Sequence, residues 1–216
     1  MKQDVKEKVI RTTAQLITQY GIRHVRVDEI AQNLGISKRT LYELFHDKTE
    51  LVNCCLEDIK CRQRNRITAY LQEETRNPLQ NIFWLMNEFI GALYSVDTEF
   101  LAELRRKTDY AQKYQESKRF WTTHLEDLLQ EGQREEYFLS DTDMNMVSVR
   151  MMVSMQDSRV EGRARSEQED FCRIMLRGLS TQKGIEWIDS HSRSHRSFER
   201  STDPLFSSRN RIDASH

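Results

Sequence analysis

Apolar residues recur at three- and four-residue steps along most of the chain, the spacing of one face of an α-helix. Val9, Ile10, Thr13, Ala14, Ile17 and Tyr20 predict a first helix over about Asp4 to Tyr20, ended by Gly21. A second, about Val27 to Leu34, turns Val27, Ile30, Ala31 and Leu34 inward. It carries Asp28 and Glu29 in its first turn, where the helix dipole favours anions. Gly35 supplies the positive φ of a tight interhelix turn, and Ser37 caps a short third helix, Lys38 to Phe45. Asp47-Lys48-Thr49-Glu50 reads as a capping box for a fourth helix, continuing through Leu51, Val52, Cys55, Leu56 and Ile59 towards Leu71.

Asn77-Pro78 breaks the pattern and restarts it, since proline suits the first turn of a helix. Leu79, Ile82, Phe83, Leu85, Met86, Phe89, Ile90 and Leu93 make the next helix apolar around much of its circumference, so it should be buried on several sides. A short helix near Glu99 to Lys107 follows, then a long one over about Tyr110 to Glu135. Another starts at Ser140 to Asp143 and holds Met144, Val147, Met151, Val153 and Met155. A further helix covers about Glu167 to Leu179, and Lys183 to Asp189 adds a turn or two. From Ser190 to His216 apolar residues thin out and Ser, Arg, His, Asn and Asp dominate, which predicts a disordered tail.

Composition sharpens this all-α picture. Seven Gly and two Pro in 216 residues leave few helix breakers. The net charge of -1 excludes a chain that binds nucleic acid by bulk positive charge, but a local basic surface suffices to hold phosphates. Nine Lys and Arg side chains face six Asp and Glu between Met1 and Thr49, so placement must matter more than excess. No apolar run approaches the roughly 18 residues of a membrane span, and the N-terminus lacks the core of a signal peptide. A cytoplasmic protein with reduced thiols at Cys54, Cys55, Cys61 and Cys172 is expected. Their spacing matches no usual zinc site, so no metal or cofactor is expected, and Cys55 reads as a small core residue. There is no Gly-rich phosphate loop, nucleophile elbow or paired His-Glu metal motif, which argues against an enzyme.

The informative stretch is Val27 to Leu51. Two short helices joined by a glycine-bearing turn form a helix-turn-helix, whose second helix enters the major groove of double-stranded DNA. Lys38 and Arg39 sit at its N-terminal end, Thr40 and Tyr42 carry hydroxyls, and Leu41, Leu44 and Phe45 face back into a three-helix core.

These residues carry a resemblance. Val27-Asp28-Glu29-Ile30-Ala31, Leu34-Gly35-Ile36-Ser37-Lys38, Thr40-Leu41-Tyr42, Phe45, Lys48 and Leu51 resemble the TetR family pattern, and Ile10, Ala14, Leu16, Ile17 and Gly21 fit that family's first helix. The likeness covers about the first quarter of the chain; the remainder matches only in size and helicity. The resemblance implies that Lys38 and Arg39 contact bases or nearby phosphates, that Thr40 and Tyr42 contact the backbone, and that Ser37, the helix cap, belongs to the same DNA-binding set. Lys48 would hold a phosphate, assisted by His46. The family commonly has Thr or Ser before the second helix, where this chain has Val25 and Arg26. Arg26 either replaces that phosphate contact by charge or stays solvated.

The implied architecture is an N-terminal helix-turn-helix domain (residues 1–50), a helical domain for dimerisation and ligand binding (51–189) and a polar tail (190–216). The implied function is that of a homodimeric repressor released from a pseudo-palindromic operator by an unknown small-molecule effector. The last two major helices, about Asp143 to Val160 and Glu167 to Leu179, would form a four-helix dimer interface. Met144, Val147, Met151, Met155, Phe171, Ile174, Met175 and Leu179 either line it or pack within the protomer. Phe83, Trp84, Met86, Phe89, Tyr94, Phe120 and Trp121 either line an effector pocket, with His124 as polar handle, or form core. Arg193, Arg196, Arg200, Arg209 and Arg211 in the tail either add non-specific attraction to DNA or are merely solvated.

Overall fold

A computed structural model describes residues 2–72 and 76–192. Within them lie α1 (Lys2–Tyr20), α2 (Val27–Leu34), α3 (Lys38–Leu44), α4 (Lys48–Leu71), α5 (Pro78–Tyr94), α6 (Thr98–Arg106), α7 (Thr108–Arg134), α8 (Met144–Val160), α9 (Arg165–Gly178) and α10 (Gln182–Ser192). Among the described residues none of these helices is long and apolar enough to cross a membrane.

The helix ends follow local chemistry. Ser37, Asp47, Asn77, Asp97 and Asp143 each accept a backbone N–H of the helix they precede, satisfying donors that have no partner inside the first turn. At α4 the box is shifted by one residue. Asp47 accepts from the Glu50 amide at 2.7 Å, while the Glu50 carboxylate accepts from His46 N rather than Asp47 N. Gly35, at φ +64°, ends α2 in the left-handed region, and the Ile36 amide returns to Ala31 O at 3.0 Å.

Two apolar cores form. The larger is built from α5, α7, α8 and α9, with Leu79, Ile82, Leu85, Leu125, Leu129 and Met151 fully buried. The smaller surrounds α1 to α3 and the start of α4, with Val9, Ile17, Ile30, Leu41, Phe45 and Leu51 at its centre. It is completed by Phe100 and Leu104 of α6 and Tyr110 of α7. The boundary expected at residue 50 thus falls at the start of a 24-residue helix that serves both cores.

α10 is longer than the turn or two that the sequence predicts. Its eleven residues include Ser190, His191 and Ser192, assigned above to the tail. Fully buried Ile188 and the ring of Trp187, packed 6.0 Å from Phe83, anchor it against the larger core. The rest of the tail, including Arg193, Arg196, Arg200, Arg209 and Arg211, lies outside the described residues. The α7–α8 and α9–α10 connections pair through one isolated antiparallel bridge, Phe138 to Ser180. Gly132 permits this arrangement: a Cβ there would stand 2.6 Å from the Phe138 ring. Gly132→Ala should therefore lower unfolding stability by about 1–3 kcal/mol, the usual range for overpacking. Urea denaturation measures it, and an unchanged midpoint would mean that Phe138 moves aside freely.

Candidate nucleic-acid interface

The α3 helix divides its side chains sharply. Leu41 and Phe45 are buried, and Leu44 is half-buried. On the other side the Arg39 side chain is 89% exposed, and Tyr42, at 51%, is among the most exposed large apolar residues. Lys38 pairs with Asp28 on α2, and Arg39 Nε donates to Glu43 at 2.9 Å. Exposed pairs of this kind are worth about 0–1 kcal/mol, so phosphate or a base edge can displace either carboxylate at small cost. Thr40 is half-buried beside the cap, its hydroxyl 2.9 Å from that of Ser37. His46 and Arg26 are exposed. Arg26 stands at the N-cap of α2, where its amide donates to Glu29 at 3.0 Å but its side chain makes no cap bond.

Lys48 departs from the outward-pointing set. Its ammonium turns back and donates to the carbonyls of Ile22 and Val25 in the loop between α1 and α2. Burial lowers its pKa, and Lys107 adds to this while Glu103 and Glu29 oppose it. The same loop is held from its other side by Glu103 of α6, only 3% exposed, whose carboxylate accepts the amides of Ile22 and Arg23, the latter at 2.9 Å. Asp97 N, at the cap of α6, donates to Thr18 O at the end of α1 at 2.7 Å. The loop leading into the helix-turn-helix is thus clasped by one buried carboxylate and one half-buried ammonium.

Beneath α6 lies a cavity of about 110 Å³ between α4, α5, α6, α7 and α8. Phe89, Leu93, Phe100, Leu101 and Trp121 form much of its apolar wall. Lys60, Gln63, Lys113 and Ser117 add polar groups from α4 and α7. The Tyr114 hydroxyl, also at the wall, bonds Gln156 at 3.1 Å.

Residues 9–55 match the family model described as bacterial regulatory proteins, tetR family. The N-terminal quarter of the chain therefore carries the TetR-family domain. A domain of this description marks a DNA-binding transcriptional regulator. The nucleoid occlusion factor SlmA of Haemophilus influenzae is 25% identical over 217 residues, spanning 95% of this chain and 88% of its own length. Among solved structures, a transcriptional regulator from Saccharomonospora viridis in complex with choline aligns with a TM-score of 0.74 at 16% identity. That alignment covers 83% of this chain and all of that one. A TetR-family regulator from Agrobacterium tumefaciens aligns at 0.71 and 15%, covering 84% and 100%. At such identities the structural matches establish the TetR-like fold alone.

The cavity meets the expected pocket only in part, and the other aromatic residues follow the alternative reading as packing. Of the eight residues named from sequence, only Phe89 and Trp121 line it. Trp84 stacks on Tyr70 with ring centroids 3.6 Å apart, Phe83 packs on Trp187, and Met86 is buried core. Tyr94 donates its hydroxyl to Arg163 O, and His124 lies against the Phe120 ring with Nδ1 2.8 Å from Phe120 O. Most of these side chains find partners on α4, α10 and the α8–α9 connection, which an aromatic stripe does not reveal. The residues missed by sequence reasoning are Glu103 and the α4–α7 polar groups. Glu103 did leave a signal, a carboxylate between Phe100 and Leu104 on the inward stripe of a short helix.

The methionines expected at the dimer face, Met144, Met151 and Met155, and Val147 with them, are buried in the protomer core. Phe171, Met175 and Leu179 are half-buried against it. The apolar residues that α8 and α9 leave exposed are Met146, Val149, Val160 and Ile174. Cys55 is buried as expected, donating its thiol to Ile10 O, and desolvation drives its pKa upward.

Glu103→Gln keeps the shape of the clasp but replaces a charged acceptor by an amide. Amide hydrogen exchange at Ile22 and Arg23 should accelerate, by about tenfold for the loss of a charge-assisted bond, while α10 stays protected. Unchanged exchange would show that the loop is held by packing alone.

Proposed function

We propose that the chain works in the cytoplasm as a homodimeric repressor, with residues 1–50 reading a pseudo-palindromic operator and residues 51–189 pairing the protomers and receiving a small-molecule effector. The observation that carries this reading is the face of α3. Lys38, Arg39 and Tyr42 stand outward on a helix whose other side is fixed by Leu41 and Phe45. Side chains so mounted reach base edges and phosphates at the floor and rims of a major groove. Ser37 and Thr40 place hydroxyls at the N-terminal end of that helix, and Arg26 and His46 offer flanking phosphate contacts. Lys48 supports the reading head differently from the outward cations, by holding the loop through Ile22 and Val25.

One reading head buries too little surface for useful affinity, so two must engage half-sites about 34 Å apart or a multiple of that distance. The exposed stripe of Met146, Val149, Val160 and Ile174 supplies a surface for a second copy, and methionine adapts well to such contacts. An effector in the cavity touches Phe100, Leu101 and Leu104 of α6, and α6 carries Glu103 to the loop before α2. A ligand that favours another position of α6 thereby changes the spacing of the two heads and releases the operator.

The test is fluorescence anisotropy with duplex DNA from beside the chain's own gene. Arg39→Ala should weaken binding by about 1–3 kcal/mol and lower the slope of affinity against salt by about one. Lys48→Met should weaken it with the slope unchanged. Equal slopes for wild type and Arg39→Ala would remove Arg39 from the interface. Ile174→Glu should convert a dimer to monomers in sedimentation velocity, and a persisting dimer would place the interface elsewhere.

The full-length similarity to SlmA favours a second reading, in which the DNA-bound dimer serves nucleoid occlusion. Chromatin immunoprecipitation separates the two: a peak beside the chain's own gene supports repression, and sites scattered over the chromosome support the alternative.

A further inference from the structure

We propose that the effector is a small amphiphile with a ring-sized apolar body and an anionic head, a carboxylate in its simplest form, and that Lys60 and Lys113 receive the head. This rests on the reading above that the cavity is the effector site.

The cavity is polarised by the elements that build it. α5 and α6 contribute Phe89, Leu93, Phe100 and Leu101, all apolar. The opposite seam, between α4 and α7, contributes Lys60, Gln63, Lys113 and Ser117. A ligand wholly apolar would take water from the polar atoms of the seam without replacing it, and one wholly polar would be stripped of water against the α5–α6 wall.

The sign of the head follows from which charges face inward. Both lysines line the cavity, and no Asp or Glu does. Their counter-charges stand behind them: Lys60 Nζ lies 2.8 Å from Glu116 and Lys113 Nζ 2.6 Å from Glu57. The lysine side chains are 16% and 30% exposed, whereas Glu57 is 49% exposed and Glu116 33%. For the Lys60–Glu116 pair, water therefore screens the carboxylate more than the lysine that the ligand meets. A cation such as the choline bound by the Saccharomonospora regulator would face two like charges with no anion in the wall.

Size points to a single ring. A volume of about 110 Å³ is somewhat less than the ~150 Å³ of an engineered cavity that takes up benzene. The head also has a consequence for the fold. A carboxylate that takes Lys60 from Glu116 and Lys113 from Glu57 exchanges ion pairs that tie α4 to α7 for pairs to the ligand. α4 is the helix that begins at Lys48 and the reading head.

The test is isothermal titration calorimetry of the full chain with phenylacetate, 2-phenylethanol and benzyltrimethylammonium, which share a ring and differ in head charge. Phenylacetate should bind about tenfold more tightly than the alcohol, and the cation should not bind. Replacing both lysines, Lys60→Met with Lys113→Met, should abolish the preference for the carboxylate and leave the alcohol's affinity unchanged. Ser117→Asp leaves both lysine ion pairs in place and puts a carboxylate in the wall, so it should reverse the order in favour of the cation. It carries the test if the double variant fails to fold. Binding of the alcohol with no preference for phenylacetate, or a preference that survives both kinds of variant, overturns the anionic head while leaving the effector site standing. Failure of all three probes to bind overturns the effector site itself.

Discussion

A buried carboxylate and a half-buried ammonium hold the six-residue connection between α1 and α2 from opposite sides, and the geometry of the reading head depends on them. Glu103 takes the amides of Ile22 and Arg23, and Lys48 takes the carbonyls of Ile22 and Val25. Loop backbone that cannot reach water needs partners of this kind, because an unmet donor or acceptor costs about 1–3 kcal/mol. Charged partners make the bonds stronger than neutral ones would. The clasp also joins distant parts of the chain: Glu103 lies 81 residues beyond Ile22. The direction in which α2 leaves the loop, and so the angle of α3, follows from α6.

This arrangement places the cavity and the helix-turn-helix in mechanical series. The face of α6 that meets the cavity carries Phe100, Leu101 and Leu104, and Phe100 and Leu104 also complete the core of the reading head. A well-packed interior passes a displacement on rather than absorbing it. The four charges along the α4–α7 seam, Glu57, Lys60, Lys113 and Glu116, tie α4 to α7.

The reading head was legible because local rules suffice there. The bounds of α2, the left-handed Gly35, the Ser37 cap and the inward pair Leu41 and Phe45 follow from spacing and turn chemistry. Where side chains act across distant segments, spacing carried less. Lys48 finds its acceptors 23 and 26 residues back, so local spacing presents it only as an exposed basic residue at a helix start. The aromatic stripe on α5 marked burial correctly but not what each ring meets, since Trp84 finds Tyr70 and Phe83 finds Trp187 only in three dimensions. α8 shows the same limit. Its apolar residues surround the helix, and periodicity could not separate buried Met151 and Met155 from exposed Met146 and Val149.

The sharing of Phe100, Leu104 and Tyr110 between the two halves bears on how such regulators can be recombined. A graft that transplanted only the first fifty residues onto a foreign sensing body would leave an open socket where those three side chains plug in, and would leave Ile22 and Arg23 without their acceptor. The transferable cassette is discontinuous. It comprises the three N-terminal helices, the start of α4, and the matching faces of α6 and the start of α7, and its two pieces must be exchanged together.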